Sequence, residues 1–261
     1  WQANTPEGEY APVDFYGGTL RGIADRLPYL QKLGVTVLYL NPIFESASNH
    51  RYDTGDYRKV DPILGTNTDF KKLCAAAGAC GIRIVLDGVF AHTGADSRYF
   101  NRFRHYPGCG AYNSTNSVYT HWYDFAHYPN DYRCWWNFRD LPAINTANPD
   151  WRKYMITGEH SVVKAWLRDG ASGWRLDVAD ELPDDVLRDL RRRQAGRSRQ
   201  CAPRRGVGGC RDEGQLRCTA AIRARRCARQ RHELSPARRA DRIFDRAQHG
   251  ARARRSAAES A

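Results

Sequence analysis

Three apolar runs, each preceded by a segment with helical spacing, constrain the fold of this chain more than any other feature. The runs are VTVLYLNPIF at 35–44, IRIVLDGVF at 82–90 and ASGWRLDVA at 171–179. Near-continuous apolar runs are typical of strands that are buried on both faces. Helices that alternate with such strands predict a parallel sheet with right-handed crossovers. The pattern therefore predicts an α/β fold, either an open doubly wound sheet or an eight-stranded barrel.

The three helical segments lie at 17–34, 68–81 and 151–170. In the first, leucine and isoleucine recur at helical spacing, and Gly34 is placed where a helix commonly ends. The third segment, WRKYMITGEHSVVKAWLRDG, is predicted to be one continuous helix before the last strand.

Charged residues stand at the ends of the buried strands, where both candidate folds place their chemistry. The second strand ends in Asp87 with His92 shortly after it, and the third ends in Arg175 and Asp177. Side chains two residues apart on a strand share a face, so Arg175 would keep Asp177 ionised. An ionised carboxylate in a dry cleft suits a glycosidic nucleophile, but a structural ion pair fits the same spacing equally well.

A long loop at 92–150 is crowded with aromatic rings. Aromatic faces stack on the apolar faces of sugar rings, but most of these rings are expected to form the core of a small subdomain. The segment YGGTLRG near the start lacks the Lys-Ser/Thr ending of a phosphate-binding loop and does not follow a strand.

These residues lie in blocks that resemble the alpha-amylase family of glycoside hydrolases. LDGVFAHTG at 86–94 resembles the family's D-G-V-F-N-H block, and GWRLDVADE at 173–181 resembles its block with the arginine and the nucleophilic aspartate. LPAIN at 141–145 resembles the block before it, and 41–66 resembles the stretch after the second barrel strand. The blocks cover about residues 13–187 and are most similar to the cyclomaltodextrinase, neopullulanase and maltogenic amylase branch.

The resemblance implies a partial (β/α)8 barrel of the TIM type, with a long inserted loop subdomain after the third barrel strand. It implies retaining hydrolysis of α-1,4-glucosidic bonds in maltodextrins or cyclodextrins. Asp177 would be the nucleophile and Arg175 its partner, while Asp87 and His92 would contact the sugar in the reacting subsite. Tyr52 would stack beneath that sugar.

The sequence departs from the family pattern at several places. No cofactor is expected. Calcium is an alternative, but Ala91 stands where the family usually has asparagine, so a calcium site that uses this position is doubtful. The family's first strand would lie before residue 1. The glutamate that acts as general acid, in a G-E-V/I-W block, does not follow Asp177, and the later His-Asp block is also missing.

The charge of the chain changes abruptly near residue 190. Residues 1–187 carry 19 Lys+Arg and 22 Asp+Glu, whereas residues 188–261 carry 22 arginines and only 7 acids. We interpret the part from about residue 191 as the same gene read in the wrong frame. One codon choice for Arg204 to Cys210, shifted by one nucleotide, reads Gly-Glu-Val-Trp-Glu-Asp, which is the missing acid block.

The expected organisation is an N-terminal barrel part at 1–91, the inserted subdomain at 92–150, a continuation of the barrel at 151–187 and an unstructured arginine-rich tail at 188–261. The tail has no familiar nucleic-acid-binding module, so a nucleic-acid partner is not expected. No apolar run approaches the ~20 residues of a membrane span, and a cytoplasmic location is expected. The expected partner is an α-glucan or cyclodextrin, and a homodimer is an open alternative for the intact relative.

The chain itself is expected to be an inactive or impaired fragment, because it supplies one of the two carboxyl groups that a retaining glycosidase needs. Two alternatives remain open. One is a carbohydrate-binding remnant without catalysis, and the other is a basic tail that acts on nucleic acid.

Overall fold

The computed structural model describes residue 15 and residues 17–198, and it is built around a parallel sheet. The strands are β1 (Val37–Tyr39), β2 (Phe44–Ser46), β3 (Thr54–Val60), β4 (Arg83–Gly88), β5 (Phe125–His127), β6 (Asp131–Tyr132) and β7 (Gly173–Leu176). The helices are α1 (Leu20–Lys32), α2 (Asn67–Ala79), α3 (Pro149–Arg152), α4 (Val162–Arg168) and α5 (Asp184–Ser198).

The central sheet has the order β1-β4-β7, and both pairs of neighbouring strands are parallel. Its register places Val37 beside Arg83 and Asp87 beside Arg175. The three predicted parallel strands are therefore confirmed, and the carboxyl ends of β4 and β7 lie next to each other. The hairpins β2–β3 and β5–β6 are antiparallel and lie outside this sheet.

Strand β1 is more exposed than its apolar sequence predicted. Val37 is 39% exposed and Tyr39 is 44% exposed, whereas Ile84 and Leu86 in β4 are almost completely buried. Within the described residues β1 pairs with β4 alone, so it forms one edge of the sheet. The prediction of burial on both faces is wrong for β1, because Val37 and Tyr39 share one face and other described residues cover that face only partly.

The first two predicted helices are confirmed, and their ends lie within three residues of the predicted segments. In α1 the Thr19 hydroxyl accepts a hydrogen bond from the Gly22 N–H at 3.0 Å, and Gly34 follows the helix with φ +83°. In α2 the side chains of Thr66 and Asp69 each accept a hydrogen bond from the other's backbone N–H, which forms a complete capping box.

The third predicted helix is interrupted. Between α3 and α4 the chain forms a π-helical turn over Lys153–Thr157 and becomes extended at Gly158. A Cβ atom on Gly158 would lie 2.5 Å from the Lys153 carbonyl oxygen, so this close approach of the backbone needs glycine. The helical periodicity on both sides of residue 158 concealed the break.

Helix α5 corrects the predicted start of the tail. It runs through the boundary at residue 188 and ends at Ser198, with Val186 and Leu190 completely buried. Residues 188–198 are therefore helical and not unstructured. The rest of the predicted tail, including the hidden acid block, lies outside the described residues.

The loop subdomain has the aromatic core that was expected. Phe100 packs against Tyr123 and Tyr132 with ring centroids 4.9 Å and 4.7 Å apart, and Tyr99 stacks on Trp122 at 5.4 Å. These five rings are buried. Several other rings remain more than a third exposed, and these are Phe103, Tyr128, Trp136 and Phe138.

Candidate active site

The candidate site is formed where β4 and β7 end. Asp87 and Arg175 are register partners on these strands, and the chain continues from β7 into Asp177. The backbone N–H of Asp177 donates a hydrogen bond to the Gly88 carbonyl oxygen at 3.1 Å, which extends the pairing by one residue. The predicted placement of the two aspartates at the same end of the sheet is confirmed.

A single nitrogen atom of Arg175 joins the two carboxylates. Its Nη1 lies 3.0 Å from Asp87 Oδ1, 3.1 Å from Asp87 Oδ2 and 2.8 Å from Asp177 Oδ1. Charge-assisted hydrogen bonds of this kind are shorter and stronger than neutral ones. The arrangement fixes the two carboxylates relative to each other although they lie on different strands.

Two tyrosines complete the surroundings of Asp87. The hydroxyl of Tyr39, at the end of β1, donates a short hydrogen bond to Asp87 Oδ2. The hydroxyl of Tyr52 donates to the same oxygen at 3.3 Å. Tyr52 was predicted as a site residue, whereas Tyr39 was not. Tyr39 lies in the middle of the apolar run at 35–44, and only the structure shows that β1 ends there. Its polar hydroxyl within a near-continuous apolar run is the one signal that the sequence offered.

The charges of the site shift the ionisation of its neighbours. Burial alone would lower the pKa of Arg175, but the hydrogen bond and charge of Asp87 outweigh this effect and raise it. Burial raises the pKa of Tyr39 well above its usual value, and the hydrogen bond and charge of Asp87 raise it further. The pKa of Tyr52 is raised by burial and by the charge of Asp87. Both tyrosines therefore remain hydrogen-bond donors at neutral pH.

His92 lies in an enclosed position next to the site. Its ring is 5.5 Å from that of Trp135, and neither ring nitrogen has a hydrogen-bond partner among the described residues. Burial lowers the pKa of His92 to about 4, although the charge of Asp53 acts in the opposite direction. The imidazole is therefore neutral at physiological pH.

The accessible part of the site is Arg175 and Asp177. Their side chains are 43% and 13% exposed, whereas the side chain of Asp87 has no exposed surface and His92 is 1% exposed. In this geometry Asp87 and His92 are enclosed by other protein groups. The sugar contacts predicted for these two residues stay predictions.

Buried hydrogen bonds hold the segment that follows β4. The Tyr57 hydroxyl lies 2.6 Å from the Val89 carbonyl oxygen and 2.9 Å from that of His92. The LPAIN segment lies along the other side, where the Ile144 N–H donates to the Ala91 carbonyl oxygen at 2.9 Å. The LPAIN block has no catalytic group, and its place beside the site follows from this backbone contact.

The loop that carries Tyr52 is fixed by polar contacts on both sides of this residue. Asp53 accepts a hydrogen bond from the Ser46 hydroxyl at 2.6 Å. Arg51 has a left-handed backbone with φ 61°, and its Nε lies 2.7 Å from Asp61 Oδ2 in a buried ion pair. Because both neighbours of Tyr52 are anchored, its ring is held beside Asp87 by the backbone.

The backbone is strained immediately after Asp177. Val178 has φ 40°, in the left-handed region that β-branched residues avoid. The turn that follows carries Glu181, whose Oε1 accepts a hydrogen bond from Trp136 Nε1 at 3.1 Å. A recess of about 380 Å³ lies here, lined by groups that include Trp135, Trp136 and Glu181.

A groove of about 1350 Å³ lies between α1 and β1, and its lining includes Tyr39 but neither Asp87 nor Asp177. The charged cluster, and not this groove, therefore forms the candidate site.

No cluster of three or more His, Cys, Asp or Glu side chains in the described residues could hold a metal ion. Ala91 has no side-chain oxygen, so its side chain offers a cation no ligand. The expectations about calcium and other cofactors stay predictions. No helix in the described part is long and apolar enough to cross a membrane.

Comparisons with known proteins agree with this geometry. The alpha amylase catalytic domain family matches residues 3–205. An amylopullulanase from Thermoanaerobacterium saccharolyticum is 48% identical over 196 residues, which cover 68% of this chain and 15% of the relative. Neopullulanase 2 from Thermoactinomyces vulgaris is 39% identical over 185 residues, which cover 68% of this chain and 30% of the relative.

A solved structure gives the same result. The cyclic alpha-maltosyl-(1→6)-maltose hydrolase from Arthrobacter globiformis, in complex with maltose, superposes with a TM-score of 0.64 at 36% sequence identity. The match covers 75% of this chain and 44% of that protein. The partial TIM-barrel fold is thereby confirmed. The chain spans less than half of each of these three proteins, and it belongs to the alpha-amylase family of glycoside hydrolases.

Proposed function

We propose that the described residues hold the nucleophile half of a retaining α-glucosidase site, with Asp177 as the nucleophile. The observation that carries this proposal is the bridge from Arg175 Nη1 to both Asp87 and Asp177, at the carboxyl ends of adjacent strands. Asp87 is fully buried and anchors the arginine, while Asp177 remains partly accessible. An ionised, oriented and reachable carboxylate is what attack on an anomeric carbon requires.

The proposed substrate class is an α-1,4-linked glucan such as a maltodextrin or cyclodextrin. In the first step Asp177 would bond to the anomeric carbon while the glycosidic oxygen leaves. Water would then release the sugar with retained configuration. Tyr52 is proposed to contact the reacting sugar, because its half-buried ring lies beside the site and its hydroxyl is held by Asp87.

The proposed defect is the lack of a proton donor. A retaining site needs a second carboxyl group about 5–5.5 Å from the first, and general acid–base help contributes roughly 10²–10⁴-fold. In the printed reading frame no Gly-Glu-Val/Ile-Trp block follows Asp177. We therefore propose that this chain is impaired with substrates whose leaving oxygen must be protonated.

The test compares two substrates with the purified 261-residue chain. Maltotriose requires protonation of its leaving oxygen, whereas α-glucosyl fluoride does not. We expect turnover of the fluoride, and this turnover should be lost in Asp177→Asn. Maltotriose turnover at the level of an intact relative would contradict the proposed defect. A fluoride rate that survives Asp177→Asn would contradict the nucleophile assignment.

Glu181 is the carboxyl group that could replace the missing acid. It follows Asp177 by four residues and accepts a hydrogen bond from Trp136 Nε1. If maltotriose is turned over, the Glu181→Gln variant tests whether Glu181 is the proton donor. If it is, the variant should lose turnover of maltotriose and keep its rate with α-glucosyl fluoride.

Carbohydrate binding without turnover is a second candidate function. The observation that favours it is the pair of exposed rings near the recess, Trp136 at 63% and Phe138 at 58% exposure. Aromatic faces of this kind stack on sugars. Maltotriose affinity that is lost in Trp136→Ala, in a chain that turns over neither substrate, would support binding alone.

A further inference from the structure

We propose that Tyr39 is a positioning residue of this site, acting on Asp177 through Asp87 and Arg175. The proposal rests on the proposed function and adds a third strand to it. Tyr39 is the last residue of β1, and its hydroxyl donates to Asp87 Oδ2. Asp87 in turn holds Arg175, and Arg175 holds Asp177.

The hydrogen bond of Tyr39 is made to a completely buried carboxylate. The side chain of Asp87 has no exposed surface, so water cannot replace a donor that is removed. Tyr52 donates to the same oxygen at 3.3 Å, which is a longer contact. The Tyr39 hydroxyl is therefore the main neutral donor that sets the orientation of the Asp87 carboxylate.

Tyr39 also contacts the cation directly. The Arg175 guanidinium carbon lies 5.8 Å from the centroid of the Tyr39 ring, within the range of a cation–π interaction. The ring of Tyr39 thus restricts the Arg175 guanidinium. The hydroxyl of Tyr39 holds Asp87, which is the carboxylate partner of that guanidinium. Two contacts from one side chain, one to each member of the ion pair, distinguish Tyr39 from a residue that only fills space.

Packing alone does not account for the position of Tyr39. The residue is 44% exposed at the sheet edge, so it buries little apolar area. Its hydroxyl nevertheless donates to a carboxylate that has no exposed surface. The side chain therefore reaches from the edge of the sheet towards the charged cluster.

The test measures ligand affinity and does not require turnover. Maltotriose is neutral, whereas protonated 1-deoxynojirimycin carries a positive charge near the atom where charge develops in the transition state. The ratio of the two dissociation constants in the full chain reports how well the Asp177 charge is placed. Asp177→Asn should abolish the preference for the cation and thereby calibrate the measurement.

For Tyr39→Phe we expect the preference for the cation to fall roughly tenfold, as for loss of one charge-assisted hydrogen bond. Maltotriose affinity should stay within about twofold, because binding of a neutral sugar does not depend on the orientation of the carboxylate. Tyr29→Phe is the matched control, since Tyr29 is 62% exposed on α1 and the same atom is removed. It should behave like the unchanged chain.

Tyr39→Leu removes the ring as well as the hydroxyl and should lose at least as much of the preference. Circular dichroism of each variant would confirm that the fold is retained. If Tyr39→Phe keeps the preference for the cation while Asp177→Asn loses it, the role of Tyr39 alone is overturned. If the unchanged chain shows no preference for the cation that depends on Asp177, the proposed function is overturned, and the role of Tyr39 with it.

Discussion

The Nη1 atom of Arg175 lies 3.0 Å from Oδ1 and 3.1 Å from Oδ2 of Asp87, so a guanidinium that is 43% exposed neutralises a carboxylate with no exposed surface. A buried charge without a partner is strongly destabilising. The stability of the fold and the orientation of Asp177 therefore depend on the same arginine.

Arg175→Gln should destabilise the chain by about 1–3 kcal/mol, below the cost for a fully buried pair because the guanidinium is partly solvated. Arg168→Gln is the matched control, since Arg168 pairs with Glu159 on the surface and its loss should cost roughly 0.5 kcal/mol or less. Urea unfolding measures both. Equal costs would contradict the structural role of the Arg175–Asp87 pair.

Stability should fall as the pH is lowered from about 6.5 to about 4 because of His92, whose pKa is lowered to about 4 from the usual 6.5. Between these values the unfolded chain binds a proton that the folded chain does not, at a cost of at most about 1.4 kcal/mol per pH unit.

Thermal unfolding at several pH values tests the His92 effect. In His92→Gln the decline over this pH range should be smaller. His121→Gln, at an exposed position, should keep the decline of the unchanged chain. An identical decline in the His92 variant would be the contrary result.

Val178→Gly should stabilise the chain or leave its stability unchanged, although glycine normally costs stability. A left-handed backbone costs a residue with a side chain about 1–2 kcal/mol, and glycine avoids that cost. Gly34→Ala provides the opposite case. Gly34 has φ +83°, so its replacement by alanine should destabilise the chain. Chemical unfolding of both variants tests the pair, and a clear loss of stability in Val178→Gly would refute the strain at Asp177.

The nucleotide sequence around codons 188–206 should reveal a change of reading frame. Read in the alternative frame, the gene should encode Gly-Glu-Val-Trp near the codons of Arg204 to Cys210. Sequencing of this region decides the question. An early stop codon in that frame, or a different peptide there, would falsify the interpretation.

The three parallel strands and the charged residues at their ends could be predicted from the sequence, because apolar runs that end in charged residues have few other placements. The pairing of Asp87 with Arg175 depends on the register between β4 and β7, which no local pattern contains. Tyr39 was missed for the same reason, since its hydrogen bond crosses from β1 to β4. The break at Gly158 depends on one close backbone contact, and the conformation of Val178 depends on the turn after β7.

Among the described residues β1 pairs on one side only, and the position of Tyr39 on this strand has a thermodynamic consequence. A strand that pairs with the other side of β1 would restrict Tyr39, and through it the orientation of Asp87. Sugar binding at the site and strand binding at this edge would then be thermodynamically linked. If strand pairing strengthens ligand binding by some factor, ligand binding must favour strand pairing by the same factor. A saccharide would thus raise the affinity of β1 for whichever strand pairs with it.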